Sequence, residues 1–375
     1  MRVSFAAMVK APRLIASEIY RKSRYGAKHP LSIPRVSLAV DLIRALGWLD
    51  EARYVDGPVA TPEQLIRFHA PDYVAALQRA EREGLSEEER DRWNIGRNGN
   101  PIYSEVFRRP ATAAGSSILA AELVAGGGTV YSPAGGTHHG RRDRASGFCF
   151  LNDPVLGILR LLDLGIEPVV YVDLDAHHGD GVEAAFAGDP RVTTISVHEA
   201  DRWPRTGILD HGLGPTVTNL PMPPDFNDDE FLFVLETAIL PKVDAVGPAA
   251  IMVQGGVDGL QDDPMSRLSL SNTVYWRAVD LLLRTAPRCI VLGGGGYNPF
   301  AVARAWAGVW AMIDGHSVPD HLPPDACAVL EAIEWRHSRA REAPTRWFET
   351  LADPPNSGPV REEVRDVVRR AARLA

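Results

Sequence analysis

The sequence has few cysteines, no long apolar run and no excess of positive charge, and each shortage excludes a class of protein. Its three cysteines form no CxxC pair, which favours a reducing compartment over a disulfide-dependent fold. No apolar run approaches the length of a transmembrane helix, so we predict no contact with a membrane. The net charge of −8 gives no electrostatic support for a direct nucleic-acid partner. We therefore expect a cytoplasmic protein.

What is present is an ordinary globular composition over 375 residues, 45% hydrophobic and 23% charged. We predict a single domain over 1–375, with a catalytic core at about 1–320 and a helical, irregular tail at about 321–375. The apolar stretch near the N-terminus is too short for a secretory signal and is interpreted as a strand over 3–9.

Short apolar runs alternate with helical patterns over most of the chain. Strands are predicted at 128–132, 168–173, 192–197, 249–254 and 289–293. Helices are predicted at 36–49, 71–82, 111–125, 153–163, 180–187, 228–240, 271–285 and 299–313. This alternation predicts an α/β fold, a mostly parallel sheet with helices on both faces and long active-site loops at the carboxyl ends of the strands. The segment 200–227 is rich in Gly and Pro and is predicted to be a long functional loop.

The stretch VVYVDLDAHHGDGV, residues 169–182, carries the densest group of candidate functional residues in the chain. Its apolar half predicts a buried strand, and its charged residues follow where that strand ends, which is where open α/β sheets bind ligands. In extended backbone Asp173, Asp175 and His177 point to the same side, so this segment can offer a carboxylate and an imidazole to one metal ion. The alternative, a strand end that only caps the next helix, is less favoured because charges are rarely buried unless paired or metal-bound.

Three further stretches place reactive side chains after predicted strands. The adjacent histidines His138 and His139 follow two glycines, Asp258 follows two more, and Tyr297 follows four. Each could by itself be an ordinary turn or surface residue. Together with the first stretch they supply three metal ligands with room for a water, two histidines that can move protons, and a hydroxyl that can stabilise an oxyanion. This set is suited to metal-assisted hydrolysis of an amide.

The motifs HHxxxxxASGFCxLND, YVDLDAHHGDGVExAF and LGGGGYNP resemble those of the zinc-dependent histone deacetylase superfamily, most closely its bacterial histone-deacetylase-like, acetoin-utilisation (AcuC-type) members. The resemblance extends from residue 29 to about residue 320. It implies that Asp175, His177 and Asp258 bind zinc, although iron(II) suits the same ligands. It also implies the arginase/deacetylase-like version of the α/β fold.

The resemblance implies a role for each remaining residue. His139 would act as general base and then general acid, and His138 would tune the electrostatics beside it. Asp173 and Asp180 would pair with these histidines, and Tyr297 would polarise the scissile carbonyl. The implied substrate-binding residues are Gly147, Phe148, Trp203 and Met265. The implied structural potassium sites comprise Asp173, Asp175, His177, Ser196 and Val197 and, for a second ion, Phe186, Asp189 and Val192.

One departure concerns the rim segment 97–101, where Gly99 stands in place of an acidic residue with which many family members hold a peptide backbone. The leading hypothesis is removal of acetyl groups from lysine ε-amines of an acetylated protein, and the alternative is an acetylpolyamine or another small acylated amine. A manganese ureohydrolase is more distant, because Gly179 stands where the DAHxD motif needs its second aspartate. An inactive binding protein is disfavoured because every matched catalytic position is filled.

Overall fold

The computed structural model describes residues 10–209 and 212–374, so the strand predicted over 3–9 lies outside the described residues. Within them, eight strands form one sheet in the order β2-β1-β3-β8-β7-β4-β5-β6, and every pairing is parallel. The strands are β1 Arg13–Ala16, β2 Tyr54–Asp56, β3 Gly128–Ser132, β4 Val169–Asp173, β5 Val192–Glu199, β6 Val217–Met222, β7 Ala250–Gln254 and β8 Arg288–Leu292.

Helices precede, connect and follow these strands. They are α1 Ile19–Lys22, α2 Arg35–Ala45, α3 Pro62–Leu65, α4 Pro71–Arg82, α5 Glu87–Trp93, α6 Arg108–Val124, α7 Asp153–Asp163, α8 Asp180–Phe186, α9 Asp228–Val234, α10 Leu240–Val246, α11 Asn272–Leu283, α12 Pro299–Asp314, α13 Pro324–Glu331, α14 Arg346–Glu349 and α15 Glu362–Leu374. The predicted α/β fold with helices on both faces of a parallel sheet is confirmed.

The central strand β4 shows why its sequence is continuously apolar. Successive strand residues face opposite sides of a sheet. Val170 and Val172 therefore join the core that contains α2, α11 and α12, whereas Val169 and Tyr171 join the core that contains α6, α7 and α8. A strand covered on both faces has no polar side, which is the pattern of a parallel sheet.

Three strands were not predicted. β1 and β2 contain only four and three residues, too few to show a periodic pattern. β6 corrects the prediction that 200–227 is one long loop, because its residues pair in parallel with β5 at the edge of the sheet. Pro221 is tolerated there, since an edge strand can leave a main-chain position without a donor.

The predicted helix 228–240 is also interrupted. α9 passes through a π-helical turn, Leu235–Ile239, before α10 begins. Pro241 lies in the first turn of α10. Proline has no N–H group to donate within an uninterrupted α-helix. The π-helical turn lets a new helix begin just before Pro241, and in the first turn of a helix the N–H group has no partner to lose.

The strand order brings the four chemistry-bearing stretches together. They follow β3, β4, β7 and β8, and these strands are neighbours in the order β3-β8-β7-β4. Because all four strands run in parallel, their carboxyl ends lie at one edge of the sheet. Residues that are far apart in the chain therefore meet above the middle of the sheet.

Candidate metal and catalytic site

Asp175, His177 and Asp258 meet above the ends of β4 and β7. All three side chains are buried, and one potential ligand atom from each lies within 4.8 Å of the others. The Nδ1 atom of His177 is 3.2 Å from Asp175 Oδ1 and 2.9 Å from Asp258 Oδ2. Two carboxylates and one imidazole, with further positions left for water or substrate, are the ligand pattern of a catalytic metal site.

Main-chain and amide groups hold the two carboxylates in place. Asp175 Oδ2 accepts hydrogen bonds from the Gly295 N–H at 2.7 Å and from the Gln254 side-chain amide at 3.0 Å. Asp258 Oδ1 accepts one from the Ala176 N–H at 2.9 Å. Such partners orient metal ligands. Gln254 was missed from the sequence, although a polar residue that ends an otherwise apolar strand is a signal that could have identified it.

The electrostatics of this trio favour a cation. Burial alone would lower the pKa of His177, but Asp258 and Asp175 raise it to about 10. Burial and the neighbouring Asp175 raise the pKa of Asp258. The negative potential that retains a proton on His177 would equally stabilise a divalent cation, whose binding displaces that proton. The residues present therefore fit a zinc or iron(II) ion.

The two adjacent histidines are each paired with an aspartate. His138 Nδ1 lies 2.7 Å from Asp173 Oδ2, and His139 Nδ1 lies 2.7 Å from Asp180 Oδ1. Gly136, with φ of +94°, makes the turn before them, and a Cβ there would lie 2.4 Å from the carbonyl oxygen of Gly293. This turn aims both imidazoles at one region, and their ring centroids are 3.9 Å apart.

The environments of the two histidines drive their pKa values apart. Burial disfavours charge on both rings, but the carboxylates of Asp173 and Asp175 raise the pKa of His138 to about 9. Burial and the charge on His138 lower the pKa of His139 to about 3. His139 is therefore neutral near pH 7. With its Nδ1–H donated to Asp180, the Nε2 lone pair of His139 is free to accept a proton.

Asp153 anchors the turn that carries these histidines, and its role was not predicted. Its buried carboxylate accepts hydrogen bonds from the N–H groups of Thr137 at 2.8 Å and Gly136 at 3.1 Å. The hydroxyl of Ser117, on α6, donates at 2.6 Å, and that of Thr137 also donates. The signal was present in the sequence, since Asp153 ends the ASGFCFLND motif.

Tyr297 follows β8 and lines the same pocket as His139. Its ring is 6.2 Å from the ring of Phe148 and nearly perpendicular to it. Burial, reinforced by Asp258 and Asp175, raises the pKa of Tyr297 well above its ordinary value. The hydroxyl therefore remains a hydrogen-bond donor at every ordinary pH.

Arg35 supports the loop of Tyr297 and was also missed. Its guanidinium donates to the carbonyl oxygens of Gly294 at 2.7 Å and Gly296 at 3.0 Å. It also lies over the Tyr297 ring, 5.9 Å from the centroid. Four consecutive glycines give this loop little stiffness of its own, so contacts of this kind define its shape.

The aromatic residues Phe148 and Trp203 lie near His139, Phe148 in the lining of the pocket and Trp203 against the His139 ring. Phe148 has a left-handed backbone, with φ of +67°, held by its N–H bond to the Asn100 side chain at 2.9 Å. The Trp203 ring packs against His139 with centroids 4.6 Å apart and is 46% exposed. Gly147 must be glycine, because a Cβ there would lie 2.4 Å from Trp203 and 2.5 Å from His139.

Gly99, in the predicted rim segment, lies against Phe148, and Met265 lies beside Arg202. A Cβ on Gly99 would lie 2.6 Å from Phe148, so the ring of Phe148 takes the space of a side chain at position 99. The Gly99 carbonyl oxygen is 3.0 Å from His29 Nε2. The Met265 carbonyl accepts a hydrogen bond at 2.8 Å from Arg202, the neighbour of Trp203. The rim is thus linked to both aromatic walls.

A cavity of about 60 Å³ adjoins the buried site. Its lining includes Phe148, His139 and Tyr297, and it continues past them to Arg35 and Arg109. Apolar side chains such as Phe148 and Phe150 line this cavity together with a few polar groups, the mixture that is typical of a small-molecule site.

The residues expected to bind potassium lie close to the metal trio or in the turn after α8. Ser196 is paired with Asp173 on the neighbouring strand, and its hydroxyl is 2.9 Å from His198 Nδ1. The carbonyl oxygens of Phe186 and Asp189 accept main-chain hydrogen bonds from Asp189 and Val192. Potassium binding at these residues, including Val197, stays a prediction.

Comparisons with known proteins place this site in a family. A model described as the histone deacetylase domain matches residues 29–313. The acetoin utilization protein AcuC of Bacillus subtilis is 31% identical over 89% of this chain and 88% of its own length. Histone deacetylase 8 of Xenopus tropicalis is 34% identical over 77% of this chain and 80% of its own. The chain belongs to the histone deacetylase family.

The solved structures agree. The crystal structure of an HDAC homolog from Aquifex aeolicus superposes with a TM-score of 0.92 at 36% identity, covering 96% of this chain and all of that one. A homolog complexed with SAHA gives the same values. In the described part of this chain, the helices are all too short or too polar to cross a bilayer.

Proposed function

We propose that the protein is a zinc-dependent amidohydrolase that removes acetyl groups from the ε-amine of lysine in proteins. The observation that carries the proposal is a cavity lined by His139, Tyr297 and Phe148 that adjoins the buried Asp175–His177–Asp258 trio. An acetyl-lysine side chain is a thin apolar stem that ends in an amide. It therefore matches a slot of this shape and polarity.

The metal ligands in this proposal are Asp175, His177 and Asp258. When bound there, zinc would polarise the amide carbonyl and make a water molecule more acidic. Iron(II) would satisfy the same ligands.

The chain's own groups move the protons. In this proposal His139 Nε2 takes a proton from the attacking water, and the contact of its Nδ1 with Asp180 favours the tautomer that leaves Nε2 free. The same nitrogen then returns the proton to the departing amine. His138, held by Asp173, contributes positive charge beside the carboxylates and disfavours early protonation of His139.

Tyr297 stabilises the oxygen that becomes negative during attack. Its hydroxyl stays protonated, so it can donate to that oxygen throughout the reaction. Phe148 and Trp203 exclude water from the flanks of the lysine stem, which strengthens the polar interactions at the base.

Gly99 supports a second candidate, an acetylpolyamine or another small acylated amine. The rim offers no carboxylate at this position, and the Phe148 ring fills the space in which one would stand. A substrate without a peptide backbone has no need of such a group.

The test is hydrolysis by zinc-loaded protein of an ε-acetyl-lysine peptide beside acetylputrescine. We expect the peptide to be cleaved, and His139→Gln to abolish cleavage while His316→Gln, at a histidine outside the pocket that bonds to Asp314, leaves it intact. Preference for acetylputrescine would establish the second candidate. Cleavage of neither compound would contradict the lysine candidate and the acetylpolyamine candidate.

A further inference from the structure

The loop after β7 connects the catalytic tyrosine to the C-terminal segment. This loop, residues 258–265, begins with the metal ligand Asp258 and contains the adjacent acids Asp262 and Asp263. The Asp263 carboxylate is 1% exposed and accepts main-chain N–H bonds from Tyr297 at 2.5 Å and Asn298 at 3.3 Å. Its other oxygen accepts the N–H of Met265 at 2.9 Å. The position of the Tyr297 backbone therefore depends on where this carboxylate is held.

Asp262 is held by residues of the tail. Its carboxylate accepts hydrogen bonds from Arg346 at 2.5 Å and from the indole N–H of Trp347 at 2.7 Å, both on α14. Arg339, also in the tail, donates to the Asp263 carbonyl oxygen at 3.1 Å. Charge-assisted bonds to a shared carboxylate are the stronger class of hydrogen bond, so these contacts can define the turn.

The tail also contacts the other end of the tyrosine loop. The buried Trp347 ring stacks on Phe300, at the start of α12, with centroids 5.3 Å apart. The Asn298 side chain donates to the Asp262 carbonyl oxygen at 3.1 Å, while its amide oxygen caps α12. Asp262 and the residues that follow Tyr297 are thus fixed by the same tail segment.

We propose that Arg346 and Trp347 are positioning residues for Tyr297, acting through the turn formed by Asp262 and Asp263. The C-terminal segment, which lies outside the sequence motifs, is then part of what sets the position of Tyr297 in the pocket of the metal trio. A displacement of about 1 Å at a reacting group can cost up to about 10²-fold in rate, so a modest shift of this turn is sufficient to be measured.

The first test does not depend on activity. We compare hydrogen exchange of the peptide that contains the Tyr297 and Asn298 amides in wild-type protein, Arg346→Gln and Arg361→Gln. Arg361 is a matched control, because it also attaches the tail, through Glu230, and both arginine side chains are 32% exposed. We expect exchange to be about tenfold faster in Arg346→Gln and unchanged in Arg361→Gln. No change in Arg346→Gln, or an equal change in both, would overturn the proposal.

The second test rests on the proposed function and uses turnover. Arg346→Gln should lower kcat about 10- to 100-fold with little change in KM, and it should have no further effect in protein that already carries Tyr297→Phe. A merely structural role would lower activity in both backgrounds, and that result would contradict positioning. If wild-type protein cleaves no acylated amine, the proposed function fails, and hydrogen exchange still decides whether the tail positions Tyr297.

Trp347→Phe is a second variant that tests the proposal if Arg346→Gln does not fold. Phenylalanine retains an aromatic ring that can stack on Phe300, and it removes the indole N–H donor together with one ring of the side chain. We expect a cooperative thermal transition at a temperature somewhat below that of wild type, because the smaller ring packs less fully, and faster exchange of the same peptide. Exchange unchanged from wild type would remove Trp347 from the proposal.

Discussion

The base of the pocket and its rim differ in burial and in how they are held. The base consists of Asp175, His177, Asp258, His138 and His139, each at most 7% exposed and each bonded to another described side chain. At the rim, Trp203 is 46% exposed, and Asn98 and Gly99 are exposed as well. The side chains of the base are held by buried hydrogen bonds from which water is largely excluded. Those of the rim are held by contacts between rings and by the loop backbone.

This difference suits the base to the reaction itself and the rim to the choice of substrate. Buried polar groups tolerate few alternatives, because each lost partner leaves a charge or a donor unsatisfied. Exposed loop residues can change at low energetic cost, so specificity can vary while the reaction stays the same. The change at Gly99, above a base with every position filled, fits that division.

Removal of the metal should abolish the activity of the site at the base of the pocket. Treatment with a chelator is expected to abolish hydrolysis, and added Zn²⁺ to restore it. In the metal-free protein the raised pKa of His177, about 10, means that a proton must leave before the metal binds. Zinc affinity should therefore rise by about tenfold per pH unit from pH 6 to 8. Competition titrations against a fluorescent chelator measure this, and an affinity independent of pH would contradict it.

Removal of the Tyr297 hydroxyl should leave metal binding unchanged and lower the turnover rate. We expect Tyr297→Phe to bind zinc stoichiometrically while kcat falls about 10²- to 10³-fold, because one oxyanion donor is lost. Tyr275→Phe is the control, since that hydroxyl is buried without a hydrogen-bond partner among the described residues. Metal analysis and steady-state kinetics report the two effects, and full activity in Tyr297→Phe would refute the assignment.

Protonation of His69 in acid should lower the stability of the protein, because His69 is hydrogen-bonded to Asn152 below the two catalytic-site histidines. Its Nε2 accepts the Asn152 N–H at 3.0 Å, and Asn152 in turn donates to the His138 carbonyl oxygen. Burial lowers the pKa of His69 to about 4, below its unfolded value of about 6.5, so its stabilising contribution is present above pH 6.5 and is lost as the pH falls towards 4.

Urea unfolding at pH 7.5 and pH 5 measures this contribution. We expect the loss of unfolding free energy between these pH values to be about 2 kcal/mol smaller in His69→Gln than in wild type, because glutamine does not titrate. An identical loss in both proteins would show that His69 does not carry the effect.

A methyl group at position 99 should perturb the rim alone. Gly99→Ala would place a Cβ 2.6 Å from Phe148 at a φ of +82°, so we expect KM to rise about tenfold with kcat little changed. Gly84→Ala is matched in backbone, with φ of +83° and nothing within 4 Å of its Cβ. An unchanged KM in Gly99→Ala, or an equal rise in both variants, would show that the Phe148 wall is not sensitive to this position.

Much of the fold and site could be predicted because the patterns are local. The strands around β3, β4, β5, β7 and β8 are each marked by a compact apolar run, and the predicted ligands follow them at once. β1 and β2 were missed because four and three residues are too few to show a periodic pattern, and β6 because it lies in a Gly- and Pro-rich segment. Asp153, Gln254 and Arg35 were missed because a hydrogen-bonding role depends on which partner arrives from elsewhere in the chain.

The sequence by itself determined which residues stand at the carboxyl end of each central strand, since an apolar run followed by polar residues is a local signal. Only the tertiary structure decided that β3, β8, β7 and β4 are neighbours, which brings the N–H of Gly295 to Asp175 across 120 residues of chain. It also decided that the tail reaches Asp262 and that the Phe148 ring occupies the space above Gly99. These contacts come from long-range packing, in which the free energy depends on all the surfaces buried together rather than on the residues of any one segment.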